Sequence, residues 1–298
     1  MSNKPQTIAQ FFKRFPSEEA CLNHLFDVRF GQGFECPRCE RASKWFRIKA
    51  ERAYSCQWCG HHLHPTVGTP FEKTRTPLQS WFYAIFLFTT TRNGVAAKEL
   101  QRQLGVTYKT AWRMADLIRK HMGDVDGDVL IGGEGKEVEI DETLIGGKRT
   151  GVGAGNYRDN KTVLLGMVER DGDVVTKVVP NVRKQNLLPV IAENVLPGTA
   201  VHTDQNHTYR NLPAMGYQHE AVNHNRDEWV RGDCHVQTIE GFWSQLKRSI
   251  NGTHIHVSGK HLWKYAKEVE YRFNRRSRPS AMLDELLSTF GPLPERRG

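Results

Sequence analysis

Residues 137–142, Glu137-Val138-Glu139-Ile140-Asp141-Glu142, alternate polar and apolar side chains with the period of a half-buried β-strand. Two more strand patterns follow at 162–168 and 173–179, joined by Glu169-Arg170-Asp171-Gly172, a hairpin-type turn. A helix pattern covers about 183–195 and is ended by Pro197-Gly198. Residues 199–203 read as a fourth strand finishing at Asp204, and Glu220-Ala221-Val222 as a fifth. Helices are expected at 236–250 and 261–274. This order of strands and helices belongs to a mixed α/β sheet.

Three carboxylates fall at informative places in that sheet. Asp141 is expected to end the first strand and Asp204 the fourth, while Glu240 lies in the first turns of a helix. Carboxylates at neighbouring strand ends, joined by one from a packed helix, can converge. Hard oxygen donors of this kind suit Mg²⁺ or Mn²⁺. Two such ions about 3.5–4 Å apart can activate a nucleophile and stabilise a leaving oxygen at a phosphodiester. On a strand of period two Glu139 points the same way as Asp141, and Glu142 the opposite way. Glu139 is then either a partner of the metal ligands or, like Glu142, a solvated acid. His235, five residues before Glu240, could contact phosphate or water near the metals, but a surface or capping role is the favoured reading. Phe242, Trp243 and Leu246, at helical spacing, read as core.

Upstream, Cys36-Pro37-Arg38-Cys39 and Cys56-Gln57-Trp58-Cys59 form two knuckles sixteen residues apart, with strand patterns at 44–48 and 52–55 between them. Four thiolates at this spacing close a tetrahedron around one structural Zn²⁺. So small a segment buries little core, and metal binding would supply its folding energy. His61, His62 and His64 follow directly; they could replace a zinc ligand, but surface or DNA contact is the favoured reading. Cys21 and Cys234 read as plain thiols. Ser17 can cap a helix that carries Ala20, Cys21, Leu25 and Phe26.

From Pro77 the pattern turns helical: 78–90, then 95–104 ended by Gly105, then 108–122 capped by Thr107. A helix, a Gly turn and a helix bearing Tyr108, Lys109, Arg113 and Arg119 make a helix-turn-helix layout, the second helix entering the major groove. A three-helix bundle with a solvated basic face is the competing reading. Residues 123–135, rich in Gly and Asp, read as a linker. The expected division is therefore 1–75, N-terminal helix and zinc ribbon; 76–122, helix-turn-helix; and 123–298, a catalytic domain with a basic helical tail.

Charge supports a polyanion as partner. The 298 residues carry net +9, distributed as +10 over 1–122, −6 over 123–239 and +5 over 240–298. A basic head and tail around an acidic middle suits binding DNA while holding cations between. Lys247, Arg248, Arg272, Arg275, Arg276 and Arg278 are further candidate phosphate contacts. Hydrophobic residues at 38% and charged residues at 25% argue against a disordered chain. The start lacks an apolar core of signal-peptide length, and the most apolar stretch, 78–88, is about half the ~20 residues needed to span a bilayer. A membrane protein and a secreted scaffold are thus disfavoured, and a cytoplasmic protein is expected.

The runs VEIDETLIGGK, HTDQNHTYR and HVQTIEGFWSQLKRSINGTHIHVSGKHLWKYAKEVEYRFNRR, with the N-terminal FPSEEACLNHLFDVRFGQGFECPRC, resemble the DDE-class insertion-sequence transposases with an N-terminal zinc ribbon, the ISXO-two-like group. The resemblance covers about residues 10–280. It implies an RNase H-like catalytic fold, with Asp141, Asp204 and Glu240 as its metal-binding triad. Some relatives carry Asn or another residue at the third position; here Glu240 keeps the acidic triad complete. The implied activity is a DNA transposase using two Mg²⁺ or Mn²⁺ ions. It would hydrolyse a phosphodiester at each element end and join the freed 3′-hydroxyl to target DNA by transesterification. Partners would be double-stranded DNA and further copies of the chain, in a homodimer or higher multimer. The resemblance also implies a bacterial, nucleoid-associated protein. Without the resemblance, a zinc-ribbon regulator that binds but does not cut, or a junction-cleaving nuclease, stays open.

Overall fold

The computed structural model describes residues 6–146, 161–222 and 235–291; Cys234 lies outside them. Two compact units are resolved. One gathers the chain up to Thr91, Ala97–His121 and the segment from Arg278 onward; the other gathers Arg92–Ala96 and Met122–Ser277. The basic tail expected to join the catalytic domain therefore groups with the N-terminal elements.

In the first unit α1 (Ile8–Arg14) opens with a capping box, in which the Gln10 side-chain Oε1 accepts the Thr7 backbone N–H at 2.8 Å and Thr7 Oγ1 accepts the Gln10 backbone N–H. Ser17 caps α2 (Glu18–Arg29) through the Ala20 N–H at 3.2 Å. A three-stranded antiparallel ribbon follows: β1 (Trp45–Ile48), β2 (Ala53–Cys56) and β3 (His62–Leu63). Next come α3 (Leu78–Thr90), α4 (Ala97–Leu104) and α5 (Tyr108–Asp126), with Gly105 at φ +64° in the turn between the last two. Phe11, Phe15, Phe71, Trp81 and Phe82 are almost fully buried and form the aromatic centre of this unit. The tail groups here because its helix α9 (Met282–Ser288) buries Met282, Leu283, Leu286 and Leu287. Two imidazoles meet carbonyls that its last turn leaves unpaired: His121 Nε2 lies 2.8 Å from the Leu286 oxygen, and His24 Nε2 3.2 Å from that of Leu287.

Helix α5 runs four residues beyond its expected end, into the segment read as a linker, and stops before Gly127 at φ +74°. Asp126, on that extra turn, is buried against the Arg275 guanidinium and also accepts from Asn274.

The second unit is built on a five-stranded sheet in the order β10-β9-β5-β6-β7. A short parallel pair, β4 (Ile131–Gly132) and β8 (Val195–Leu196), lies apart from it. Strands β5 (Glu137–Ile145), β6 (Thr162–Glu169) and β7 (Val174–Val179) form an antiparallel meander. After the connecting helix α6 (Lys184–Asn194), β9 (Ala200–Asp204) returns parallel to β5, and β10 (Gln218–Val222) parallel to β9. Strand alternation sorts the side chains. Val138, Ile140, Leu165, Met167 and Val201 pack with Leu187 and Ile191 of α6 on one face. On the other, Leu164 and Val168 pack beneath α7 (Gln237–Arg248) and α8 (Gly259–Asn274). At about 1.5–3 kcal/mol per buried large side chain, Ile239, Phe242, Trp243 and Leu246 hold α7 firmly to the sheet. Gly166 makes room for this: a Cβ there would meet the Trp243 ring at 2.5 Å. Strand β5 continues four residues past Asp141, so Asp141 sits mid-strand rather than at a strand end.

Candidate active site and zinc ribbon

The parallel pairing of β5 with β9 matches Glu137 with Ala200, Val138 with Val201 and Glu139 with His202. Asp141 and Asp204 each lie two residues further on, at equivalent positions and on the same face. The third carboxylate reaches that face by helix docking. Glu139 is fully buried, and its carboxylate accepts the backbone N–H groups of Thr238 at 2.8 Å and Ile239 at 3.1 Å, and the Thr238 hydroxyl at 3.0 Å. Helix α7 has no side-chain cap of its own, so an acid from β5 satisfies its first-turn donors and complements its dipole. One turn on, the Trp243 indole N–H donates to Asp141 Oδ2 at 2.9 Å. Glu240, exposed on α7, lies between these two anchors.

Glu139 is thus no solvated acid. Arg170 donates from Nε to Glu139 at 3.0 Å and also pairs with Glu137, while His235 Nδ1 lies 3.1 Å from Glu139 Oε1. His235, a candidate for contact near the metals, is here a neighbour of the carboxylate that seats α7. Glu142 is likewise not solvated: on the opposite face it accepts from Asn206 at 2.9 Å and from the Tyr209 hydroxyl. Both partners come from the HTDQNHTYR run.

The electrostatics show that the acids feel one another. Burial first, then the charges of Asp204 and Glu240, lift Asp141 to about 6 against the pull of the Trp243 N–H. Burial, with Asp204 and Asp141, lifts Glu142 to about 7 despite the bonds from Tyr209 and Asn206. Among the described residues, two groups of three or more such ligand atoms lie within 4.8 Å of one another: the four ribbon cysteines, and Glu51 with His62 and His64. The triad oxygens stand wider than that, at separations over which Asp141 still senses both other charges. An all-oxygen, mutually repelling set fits hard divalent cations.

The cysteines fit a zinc ion closely. The Sγ atoms of Cys36 and Cys59 are 3.7 Å apart, and those of Cys39 and Cys56 3.9 Å. A tetrahedron with Zn–S bonds of about 2.3 Å has edges of about 3.8 Å. Burial opposes ionisation at Cys56, but the Ser43 hydroxyl and the amides of Cys59 and Trp58 outweigh it and lower the thiol. Cys39 is raised, by burial and then by its three sulfur neighbours, as expected where four thiolates need a cation to coexist.

The profile of the ISXO2-like transposase domain matches residues 131–274, and that of the transposase zinc-ribbon domain residues 16–62. An uncharacterised transposase-like protein of Haemophilus influenzae is 36% identical over 104 residues, 34% of this chain and 80% of its own length. The chain belongs to the ISXO2-like transposase family. An uncharacterised protein in the transposable element ISH50 of Halobacterium salinarum is 27% identical over 276 residues, 87% of this chain and 92% of its own length.

For an ISXO2-like transposase the placement of the basic side chains matters. Tyr108, Lys109 and Arg113 are exposed at the start of α5, with Lys98 Nζ 5.0 Å from the Tyr108 ring centre. Arg119, expected with them on the DNA-facing side, is 3% exposed, and its guanidinium lies over the Phe88 ring. It is core. Lys247, Arg248 and Arg276 are exposed, but Arg275 is buried between Asp126 and the Tyr271 ring and offers no phosphate contact. Helical spacing assigns Trp243, three residues from Glu240, to the core and gives no sign of its bond to Asp141. Period-two alternation turns Glu139 the same way as Asp141, but only the fold reveals the helix end that it holds. No helix among the described residues is long and apolar enough to cross a membrane.

Proposed function

We propose that this transposase cuts and joins DNA at the face carrying Asp141, Asp204 and Glu240. The observation that carries the reading is the matched position of Asp141 and Asp204 on paired parallel strands, with α7 pinned beside them. The strand order, with an antiparallel meander flanked by two parallel strands, supports an RNase H-like catalytic domain. Helices α4 and α5, joined at Gly105 with Tyr108, Lys109 and Arg113 exposed, support a helix-turn-helix that meets duplex DNA. The ribbon would hold one structural Zn²⁺.

The three carboxylates would hold two Mg²⁺ or Mn²⁺ ions, whose charge would offset the repulsion that Asp141 feels from Asp204 and Glu240. Bound cations of this kind sharpen the nucleophile and stabilise the oxygen that leaves. The chain's own residues prepare the face. Trp243 holds the Asp141 carboxylate through Oδ2. Glu139 sets the height of α7, and with it Glu240. Asn206 and Tyr209 keep Glu142 turned to the opposite face.

In the reaction proposed, water attacks phosphorus at an element end; a new P–O bond forms, the bond to the 3′ oxygen breaks, and a 3′-hydroxyl is freed. That hydroxyl then attacks a target phosphodiester, exchanging one P–O bond for another without ATP. Two ends must be held together, so a homodimer or higher multimer is expected on DNA. The test is incubation of purified protein with the DNA ends flanking its gene and a supercoiled target in Mg²⁺. Cleavage and joining that are lost in Asp141→Ala, Asp204→Ala and Glu240→Ala, while end binding persists, support the proposal. End binding without cleavage by the wild type overturns it in favour of a DNA-binding regulator.

A further inference from the structure

The ribbon carries a second cluster of metal-ligating side chains, on the face away from its buried Leu63. His62 and His64 flank Leu63, so strand alternation turns both imidazoles to one side while Leu63 packs inward. Glu51 reaches them from the turn between β1 and β2. One donor atom from each of the three lies within 4.8 Å of the others, and His62 Nδ1 is 3.4 Å from Glu51 Oε2.

In the folded ribbon the backbone beneath these donors is already held by its own hydrogen bonds. Strand β3 pairs with β2 through Tyr54–Leu63 and Ser55–His62, and the Cys56 N–H donates to the His61 carbonyl at 2.9 Å. The turn bearing Glu51 is closed by its own N–H to the Ile48 carbonyl at 3.2 Å. The Arg47 guanidinium gathers the carbonyls of Ile48, Glu51 and Ala53 around the same turn. Little backbone order remains to be lost on binding. Three half-exposed side chains need only choose rotamers.

We infer that Glu51, His62 and His64 form a second metal site, for a borderline divalent transition ion such as Zn²⁺, Ni²⁺ or Cu²⁺. Two imidazoles and one carboxylate favour these ions over Mg²⁺, and their order of affinity should follow the Irving–Williams series. The site differs in kind from the cysteine cluster. Three exposed ligands leave coordination positions to water, so the ion exchanges readily, whereas four sulfurs close their shell. Bound there, the ion ties the β1–β2 turn to β3 and adds positive charge to a basic unit.

The test is calorimetric titration of Zn²⁺ into the zinc-loaded full chain, with excess Mg²⁺ to occupy hard-oxygen sites, beside a His62→Gln/His64→Gln double variant and Glu51→Gln. The wild type should take up one more equivalent than the double variant, and Glu51→Gln should bind it about tenfold or more weakly. Native mass spectrometry should find the cysteine-bound zinc in all three proteins, showing that the ribbon is folded. Equal stoichiometry in the wild type and the double variant overturns the proposal, as does a Glu51→Gln affinity equal to wild type.

Discussion

Asp141 and Asp204 occupy matching positions on parallel strands, each two residues past the last paired couple, Glu139 and His202. They are 63 positions apart in the chain, yet the register sets both on one sheet face. Beside Val138, Ile140 and Val201 the opposing face is apolar, and a one-residue slip of β9 against β5 would turn Asp204 toward it, away from Asp141. The catalytic readings below depend on this pairing.

Replacing Asp141 tests the strain stored at the face. Its carboxyl ordinarily titrates at 3.8 and here near 6; that of Glu142 moves from 4.5 to about 7. Between about pH 4 and 7 these two carboxyls therefore hold more protons in the folded chain than in the unfolded one, and their contribution to stability falls as pH rises through that window. In cation-free buffer at pH 8, Asp141→Asn should stabilise the protein by about 1–2 kcal/mol, allowing for partial exposure. The gain should shrink toward pH 5. Added Mg²⁺ should stabilise the wild type more than the variant. Thermal unfolding at the two pH values, with and without Mg²⁺, measures all three.

Trp243→Phe keeps the ring and removes the donor to Asp141. That N–H holds the carboxyl down, so its loss should raise the Asp141 pKa further. The acid limb of the pH–rate profile should move up by about one unit. An unmoved limb, with kcat reduced at all pH values, would assign Trp243 to packing alone.

Glu139→Ala should cost about 3–5 kcal/mol, because Arg170 and the first-turn amides of α7 lose a fully buried acceptor. Glu139→Gln keeps the shape and part of the hydrogen bonding and should cost less. Urea unfolding ranks the two. If Glu139 positions Glu240, the Gln variant should also lose kcat at a temperature where it remains fully folded.

Zinc removal should unfold the ribbon rather than loosen it. Cys36→Ser or strong chelation should render residues 36–62 sensitive to protease and release one tightly held zinc per chain. A ribbon that stays protease-resistant after full zinc loss would contradict a structural role for the metal.

Among the basic residues, exposure separates binding from folding. Lys109→Ala and Arg113→Ala should each lower the slope of log affinity against log salt by about one. Arg119→Ala should leave the slope unchanged and destabilise the protein by roughly 1–3 kcal/mol, since its guanidinium covers Phe88 inside the unit.

Much was legible in the linear chain because the signals are local. The two Cys-x-x-Cys knuckles, the alternation over 137–142, the Ser17 and Thr107 caps and the Gly105 turn each depend on residues within a few positions of one another. Such patterns report a ribbon, a run of helices and a mixed sheet without any tertiary information. Charge, counted along the chain, separated a basic head from an acidic middle.

Tertiary packing decided the rest. Burial is a property of the neighbours a side chain meets, so Arg119 and Arg275 read as surface cations until Phe88 and Asp126 were found beside them. Glu139 and Glu142 read as solvated acids until a helix end and a tyrosine were found to face them. The C-terminal helix joined the N-terminal unit because its leucines could be buried there, a pairing across more than 250 residues that carries no mark in local composition. Residue types and spacings named the chemistry; long-range contacts alone determined which of those groups stand where the chemistry can occur.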